Sequence, residues 1–149
     1  MWNDLQRYWS LSPDRKRLLW EALFSLAIAR IAMACVPFRH IALWLGTPGT
    51  NSPETATPET NRTAEAVGWA VRALGPRVPW DGRCLAQALA AARMLRRRGI
   101  EGTVSFGVCE GESTGFDAHA WLRVGSDIVT GGPGHERYKA ITTFARGRT

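Results

Sequence analysis

The chain predicts an α+β fold, helices first and an antiparallel meander last, and three observations carry that expectation. Leu85, Ala88, Leu89, Ala92 and Leu95 recur at the spacing of one buried helix face. Residues 103–108 then alternate, with Val104, Phe106 and Val108 on one side of a strand. Residues 118–124 read as a second strand, and Gly125 with Ser126 is a two-residue turn into a third at 127–130. A helix followed by such a meander is an α+β plan.

From the N-terminus, Trp2, Asp4, Arg7 and Trp9 do not form a basic start before an apolar run, so no signal peptide is expected and the protein is read as cytoplasmic. Ser12 and Pro13 mark a helix start, N-cap followed by proline at the first turn. Residues 18–36 are strongly apolar and long enough to span a bilayer. Arg30 and Glu21 inside the run would cost several kcal/mol in hydrocarbon, so a buried or partner-covered helix is expected and membrane association is not favoured. Pro37 ends this helix, and residues 38–45 form a second apolar piece closed by Gly46. Residues 47–63, with Pro48, Gly49, Pro53 and Pro58, read as a polar linker. The expected division is therefore a helical segment at 1–46, a linker at 47–63 and a core at 64–149. In that core, Val67, Val71 and Leu74 lie at helical spacing before Gly75, and Asp81 is an expected N-cap for the helix that follows.

Composition narrows the function. The 149 residues suit one compact domain with a helical extension and are too few for a dinucleotide-binding domain plus a substrate domain. Hydrophobic residues make up 45% and charged residues 21%, which excludes a disordered chain. A mean hydropathy of −0.17 excludes a polytopic membrane protein. Three cysteines with no C-x-x-C pair argue against a disulfide scaffold and a structural zinc site, and Cys84, Cys109 and His119 make no credible metal set; no metal and no cofactor are expected. The net charge of +6 rests on short runs at Arg15, Lys16 and Arg17 and at Arg96, Arg97 and Arg98. On helices such runs spread around the barrel, so they are expected to be solvated or to face a protein, and no nucleic-acid partner is expected. Gly131, Gly132 and Gly134 belong to a turn and not to a phosphate loop, since no Lys-Ser/Thr follows. Cys35 is expected to pack in its helix and Cys109 to be a free surface thiol. Trp2, Trp9, Trp20 and Trp44 are expected in the core rather than on a partner surface.

Two residues point to chemistry. Cys84 falls at about the third helical position after Asp81, where unpaired N–H groups and the helix dipole favour a thiolate and the same groups can bind an oxyanion. A small buried cysteine packing a helix start is the alternative. His119 opens a strand whose one face carries His119, Trp121 and Arg123. A histidine at a strand start after a helix-N-terminal cysteine is the order of a papain-like Cys–His pair, in which imidazole takes the thiol proton and returns it to the leaving amine.

The run Trp80-Asp81-Gly82-Arg83-Cys84-Leu85-Ala86-Gln87-Ala88-Leu89, then Leu95-Arg96-Arg97-Arg98-Gly99-Ile100, Phe106-Gly107-Val108 and Ala118-His119-Ala120-Trp121, resembles the transglutaminase-like leader peptidases of lasso-peptide biosynthesis. Arg30-Ile31, Pro37-Phe38-Arg39 and Leu45-Gly46 resemble that family's helical segment. The resemblance implies a papain/transglutaminase-like core, with the Cys helix packed on an antiparallel sheet that carries the His. It implies a cysteine protease that removes the leader from a precursor peptide, with Cys84 as nucleophile and His119 as general base. It implies as partners a small leader-recognition protein and an ATP-dependent macrolactam synthetase (the lasso cyclase). This length matches the stand-alone form without the recognition domain, and the apolar N-terminal segment becomes the candidate for docking to either partner.

The family's triad is completed by an acid on the strand after the histidine strand. With Gly125 and Ser126 as the turn, Asp127 lies about 15 Å from His119 along that strand and cannot orient the imidazole. The positions that can, Thr130 to Gly132, hold no carboxylate. Asp117 and Glu136 are outside candidates, and a hydroxyl, a backbone carbonyl or water can serve instead, because the role needs an acceptor. The position stays unassigned. Two rival functions remain: an acyl transferase of the same fold, and a non-catalytic peptide-binding or membrane-docked adaptor in which Cys84 is buried.

Overall fold

The computed structural model describes residues 2–80, 82–112 and 115–146. Five helices precede most of an antiparallel sheet. Helix α1 (Trp2–Trp9) buries nothing, and α2 (Pro13–Cys35) starts where the Ser12 hydroxyl accepts the Arg15 N–H at 3.4 Å. Helix α3 (Phe38–Leu45) follows Pro37. At Gly46 the backbone takes φ +134°, and a Cβ there would collide with the Ala145 carbonyl, so only glycine lets the chain pass this close to the last strand.

Strand β1 (Thr47–Pro48) comes next, then α4 (Pro58–Leu74), α5 (Cys84–Arg96), β2 (Thr103–Glu110), β3 (Phe116–Val124), β4 (Asp127–Thr130) and β5 (Lys139–Ala145). The sheet runs in the order β1-β5-β2-β3-β4, and all four pairings are antiparallel. The Gly125–Ser126 turn is as expected, with Val124 paired to Asp127 and Gly125 at φ +57°. The fold is the predicted α+β arrangement, with the helices on one face of the sheet.

Residues 47–63 are more ordered than a linker. Thr47 and Pro48 pair with Ala145 and Phe144, and Ser52 is buried, its N–H and hydroxyl both 2.8 Å from the Thr103 hydroxyl. Helix α4 begins at Pro58, six residues before the expected start of the core at residue 64. Its Thr57 hydroxyl accepts the Thr60 N–H at 3.1 Å and Pro58 fills the first turn, a capping signal that hydrophobic periodicity does not register.

Helix α5 sits at the centre. The predicted stripe is there, but Ala86, Ala90, Ala91 and Met94 are buried as well, so most of the helix circumference is covered. Helices α2 and α4 pack on it from one side, and β3 and β4 from the other. Alanine at so many positions lets three neighbours approach closely. On the sheet, Val104, Ala120, Leu122, Val124, Val129 and Phe144 face this core.

Helix α2 is neither fully buried nor free. Ala22, Ser25, Leu26 and Ala29 are buried while the opposite side is open. Its burial is locked by Glu21, whose two oxygens accept from Arg98 at 2.9 and 2.7 Å. Arg96 reaches across to the carbonyls of Trp44 and Leu45 and lies over the Trp44 ring, while Arg15 lies over Trp69. These runs, expected to be solvated or to face a protein, are partly struts. Burial holds the Arg96 guanidinium below its ordinary pKa. The core expectation for Trp2, Trp9, Trp20 and Trp44 is corrected, since they are 83, 72, 54 and 36% exposed. Cys35 is exposed too, because α2 turns that side away from α5.

Two consequences are measurable. Leu26→Ala empties a fully buried site and should lower unfolding stability by about 2–5 kcal/mol, whereas Phe24→Ala, two residues away on the open side, should change it by less than roughly 0.5 kcal/mol. Chemical denaturation of both variants checks the face assignment. The Arg98 hydrogen bonds hold the Glu21 carboxyl below its ordinary 4.5, helped by the Arg98, Arg97 and Arg93 charges and opposed by burial. Its folded-state pKa is depressed, so its contribution is complete above 4.5 and is lost as the pH falls through that lower value. Glu21→Gln should therefore cost roughly 1 kcal/mol at neutral pH, with wild type and variant converging in acid.

Candidate functional site

Cys84 is the first residue of α5, with Arg83 as the N-cap residue in extended conformation; Asp81, the expected cap, lies outside the described residues. The cysteine is thus two positions nearer the helix end than expected. Its N–H is one of the four that a helix leaves unpaired, and the positive end of the dipole lies at its thiol. The turn before it is tightly built. A 3₁₀ turn at Gly75–Arg77 continues α4, and the Gln87 side-chain amide donates to the Gly82 carbonyl at 2.8 Å. Trp80 Nε1 is buried with no hydrogen-bond partner among the described residues. Cys84 is half-buried and packs on the core from the helix side, and among the described residues its thiol has no hydrogen-bond partner.

His119 lies in β3, paired across to Gly107 of β2. Strand alternation places His119, Trp121 and Arg123 on the face opposite Ala120, Leu122 and Val124, which meet the helices. The imidazole is held on three sides. Nε2 is 2.7 Å from the Gly131 carbonyl oxygen, the Tyr138 ring lies 4.8 Å away and the Trp121 ring 5.9 Å away. A carbonyl only accepts, so Nε2 carries the proton, and in the neutral ring Nδ1 is left as the acceptor.

The open third position is thus occupied by a backbone group. Between Leu122 and Arg123 the β3–β4 register shifts by one, and the ladder ends at Leu122 with Thr130. Gly131, at φ +73°, then folds back on β3 so closely that a Cβ would collide with the Ala120 carbonyl. Asp127 pairs with Val124 at the far end of the strand, Asp117 pairs with Cys109, and Glu136 is 3.5 Å from His135; among the described residues none makes an ion pair with His119.

Three neighbours of the imidazole were not singled out as site residues from the sequence, Gly107 entering only within the Phe106-Gly107-Val108 motif. Gly107 is needed because a Cβ there would come within 2.8 Å of the Trp121 ring and 2.9 Å of Tyr138 Cβ. Tyr138 reaches His119 because of a second register shift, between Phe106 and Gly107 where β2 meets β5. Partial burial, then the nearby Cys109 and Asp117, raise the Tyr138 phenol above its ordinary 10. His135 donates through Nδ1 to the Gly132 carbonyl at 2.7 Å and lies 5.7 Å from Trp121. Cys109, expected at the surface, is half-buried beside Tyr138.

Cys84 and His119 lie on elements that pack against each other, α5 and β3, but His119 is on the sheet face turned away from α5, and the two make no hydrogen bond. β4 stops at Thr130, so the stretch of β3 that carries His119 has no β4 ladder partner on that side, and the imidazole leans over this edge toward Gly131.

Comparison with curated proteins and with solved structures gives no match. The family model described as the transglutaminase-like superfamily matches residues 32–143. Members of that superfamily usually have cysteine peptidase or transglutaminase activity, so a cysteine-centred hydrolase or acyl transferase is the class supported here. The match spans α3 through most of β5, with Cys84, His119 and the Gly131 turn inside it: the chain belongs to the transglutaminase-like superfamily.

Proposed function

We propose that this protein is a cysteine peptidase that removes the leader from a lasso-peptide precursor, with Cys84 as nucleophile and His119 as general base. The observation that carries the chemistry is the imidazole with one nitrogen committed to a carbonyl and the other left to accept a proton. The leader and its partners, a recognition protein and an ATP-dependent cyclase, rest on the motif resemblance around Cys84 and His119.

The reaction follows from the groups. Cys84 gives its thiol proton to His119 Nδ1 as sulfur bonds to the scissile carbonyl carbon, and the oxyanion meets the free N–H groups at the start of α5. The imidazolium then protonates the leaving amine, the C–N bond breaks and a thioester remains. Water attacks it, His119 takes one proton from that water and returns it to sulfur, and the acid departs. The imidazole lies on the sheet face turned away from α5, so the step requires substrate binding to bring thiol and imidazole together around the open edge of β3. Throughout, the Gly131 carbonyl holds the Nε2 proton and stabilises the imidazolium, the role an acid plays in a triad. With an amine in place of water the same thioester yields acyl transfer.

Incubating wild type and Cys84→Ala with the precursor encoded nearest the gene, with and without the recognition protein, tests the reading. Wild type alone should release the leader, and mass spectrometry should show a product that has gained water; a product that has gained an amine assigns the protein to transfer. No cleavage by folded wild type in any combination, together with a Cys84 that alkylates only on unfolding, would leave a non-catalytic adaptor.

The carbonyl's role has its own test. His119→Ala should lower kcat by about a thousandfold or more. Gly131→Ala forces the carbonyl off its position and should lower kcat roughly 10–100-fold, with KM little changed. An unaltered kcat in a folded Gly131→Ala variant would show that the carbonyl does not orient the ring.

A further inference from the structure

The open side of α2 is the largest feature that the proposed chemistry leaves unused. Trp20, Phe24, Ile28 and Ile31 follow one another at spacings of four, four and three, which is one helix face, and they are 54, 64, 44 and 62% exposed. The stripe lies opposite the buried residues Ala22, Ser25, Leu26 and Ala29. Ile28 also lines an apolar groove of about 300 Å³, with Ala32 of α2 and Val36 just beyond it on one wall and Ile41 and Trp44 of α3 on the other. At that groove lies Arg93, which donates to the Ser25 hydroxyl at 3.0 Å and makes no close ion pair among the described residues.

Charge identifies the occupant. Residues 1–46 hold six Lys and Arg against three acids. Of those acids, Glu21 is engaged by Arg98 and Asp4 lies 3.6 Å from Arg77. Arg17, one turn before Trp20 on the same face, Arg30 on the flank and Arg39 just beyond Pro37 are all exposed, with no ion-pair partner among the described residues. Unmatched arginines at both ends of an apolar stripe, with Trp20 at its start and Trp44 at the rim of the groove, fit one environment: apolar side chains among acyl chains, indoles and guanidiniums at the headgroup level.

We infer that α2 and α3 dock the protein in the plane of an anionic lipid surface. Helix α2 contains an 18-residue stretch with a mean hydropathy of 1.7, long and apolar enough to cross a membrane. It does not need to leave the core for this, because the stripe faces outward while Leu26 and the Glu21–Arg98 pair stay in place. Docking is independent of the peptidase reading and concerns a different face of the molecule.

Flotation of the full chain with phosphatidylcholine vesicles, with and without phosphatidylglycerol, tests it. Wild type should float with the anionic vesicles and largely remain behind with the neutral ones, with a blue shift of tryptophan emission on binding. Phe24→Glu with Ile28→Glu should weaken binding at least about tenfold, and Arg30→Gln with Arg39→Gln should weaken it severalfold on anionic vesicles only. Circular dichroism shows that each variant is folded. Absence of flotation with anionic vesicles, or equal flotation of the wild type and the glutamate variant, would overturn the inference. So would a wild-type dimer that the glutamate substitutions render monomeric, since the stripe would then belong to a second copy of the chain.

Discussion

Burial of α5 on nearly all sides is the constraint on which the rest depends. A helix covered by two helices and a sheet has its axis, rotation and ends set by three contacts at once, and here alanine makes such close contacts possible. The first residue of that helix is Cys84, so the position of the thiol is a consequence of core packing and not of its own loop. The Gly75–Arg77 turn and the Gln87–Gly82 hydrogen bond have only to bring the chain to a point already fixed.

The opposite sheet face is organised by absence of side chains. Gly107 leaves room for the Trp121 ring and for Tyr138, and Gly131 comes close enough to β3 for its carbonyl to reach Nε2 of His119. A carbonyl brings less negative charge than a carboxylate, so it stabilises the imidazolium less while selecting the tautomer equally well. Selecting the tautomer also needs no carboxylate at a strand end where Thr130 is already fully buried.

Much of this was legible because local rules acted alone. The helix start at Ser12–Pro13, the stop at Pro37, the buried stripe of α5 and the Gly125–Ser126 turn each rest on a few neighbouring residues. What was not legible depended on partners distant in the chain. Residues 47–63 look like a linker until Thr103 satisfies Ser52 and β5 pairs with β1. The third position at His119 was narrowed to Thr130–Gly132 by simple register, but the shift at Leu122 and Arg123 decides which residue arrives and that its backbone does the work. Composition likewise could not separate the two sides of α2, since Leu26 and Ile28 are equally apolar and only the neighbours differ.

The arginines show the same division. Arg96 and Arg98 hold the carbonyls at the end of α3 and the Glu21 carboxylate of α2, tying both helices to the C-terminal end of α5. A cation paired with a carboxylate, as Arg98 is with Glu21, adds little to an external field. What remains for a partner is the set that the core leaves unmatched, and in residues 1–46 it lies around the exposed apolar stripe. Overall charge is therefore a poor guide to partners in this protein: +6 suggests a general basicity, whereas the structure gives unmatched charge a place. Because α2 packs directly on α5, the helix that presents this surface is also the one that holds the Cys84 helix against the sheet. Binding on the outer face of α2 thus need not disturb the inner contacts that set the thiol, provided that the Glu21–Arg98 pair stays formed and Leu26 stays buried.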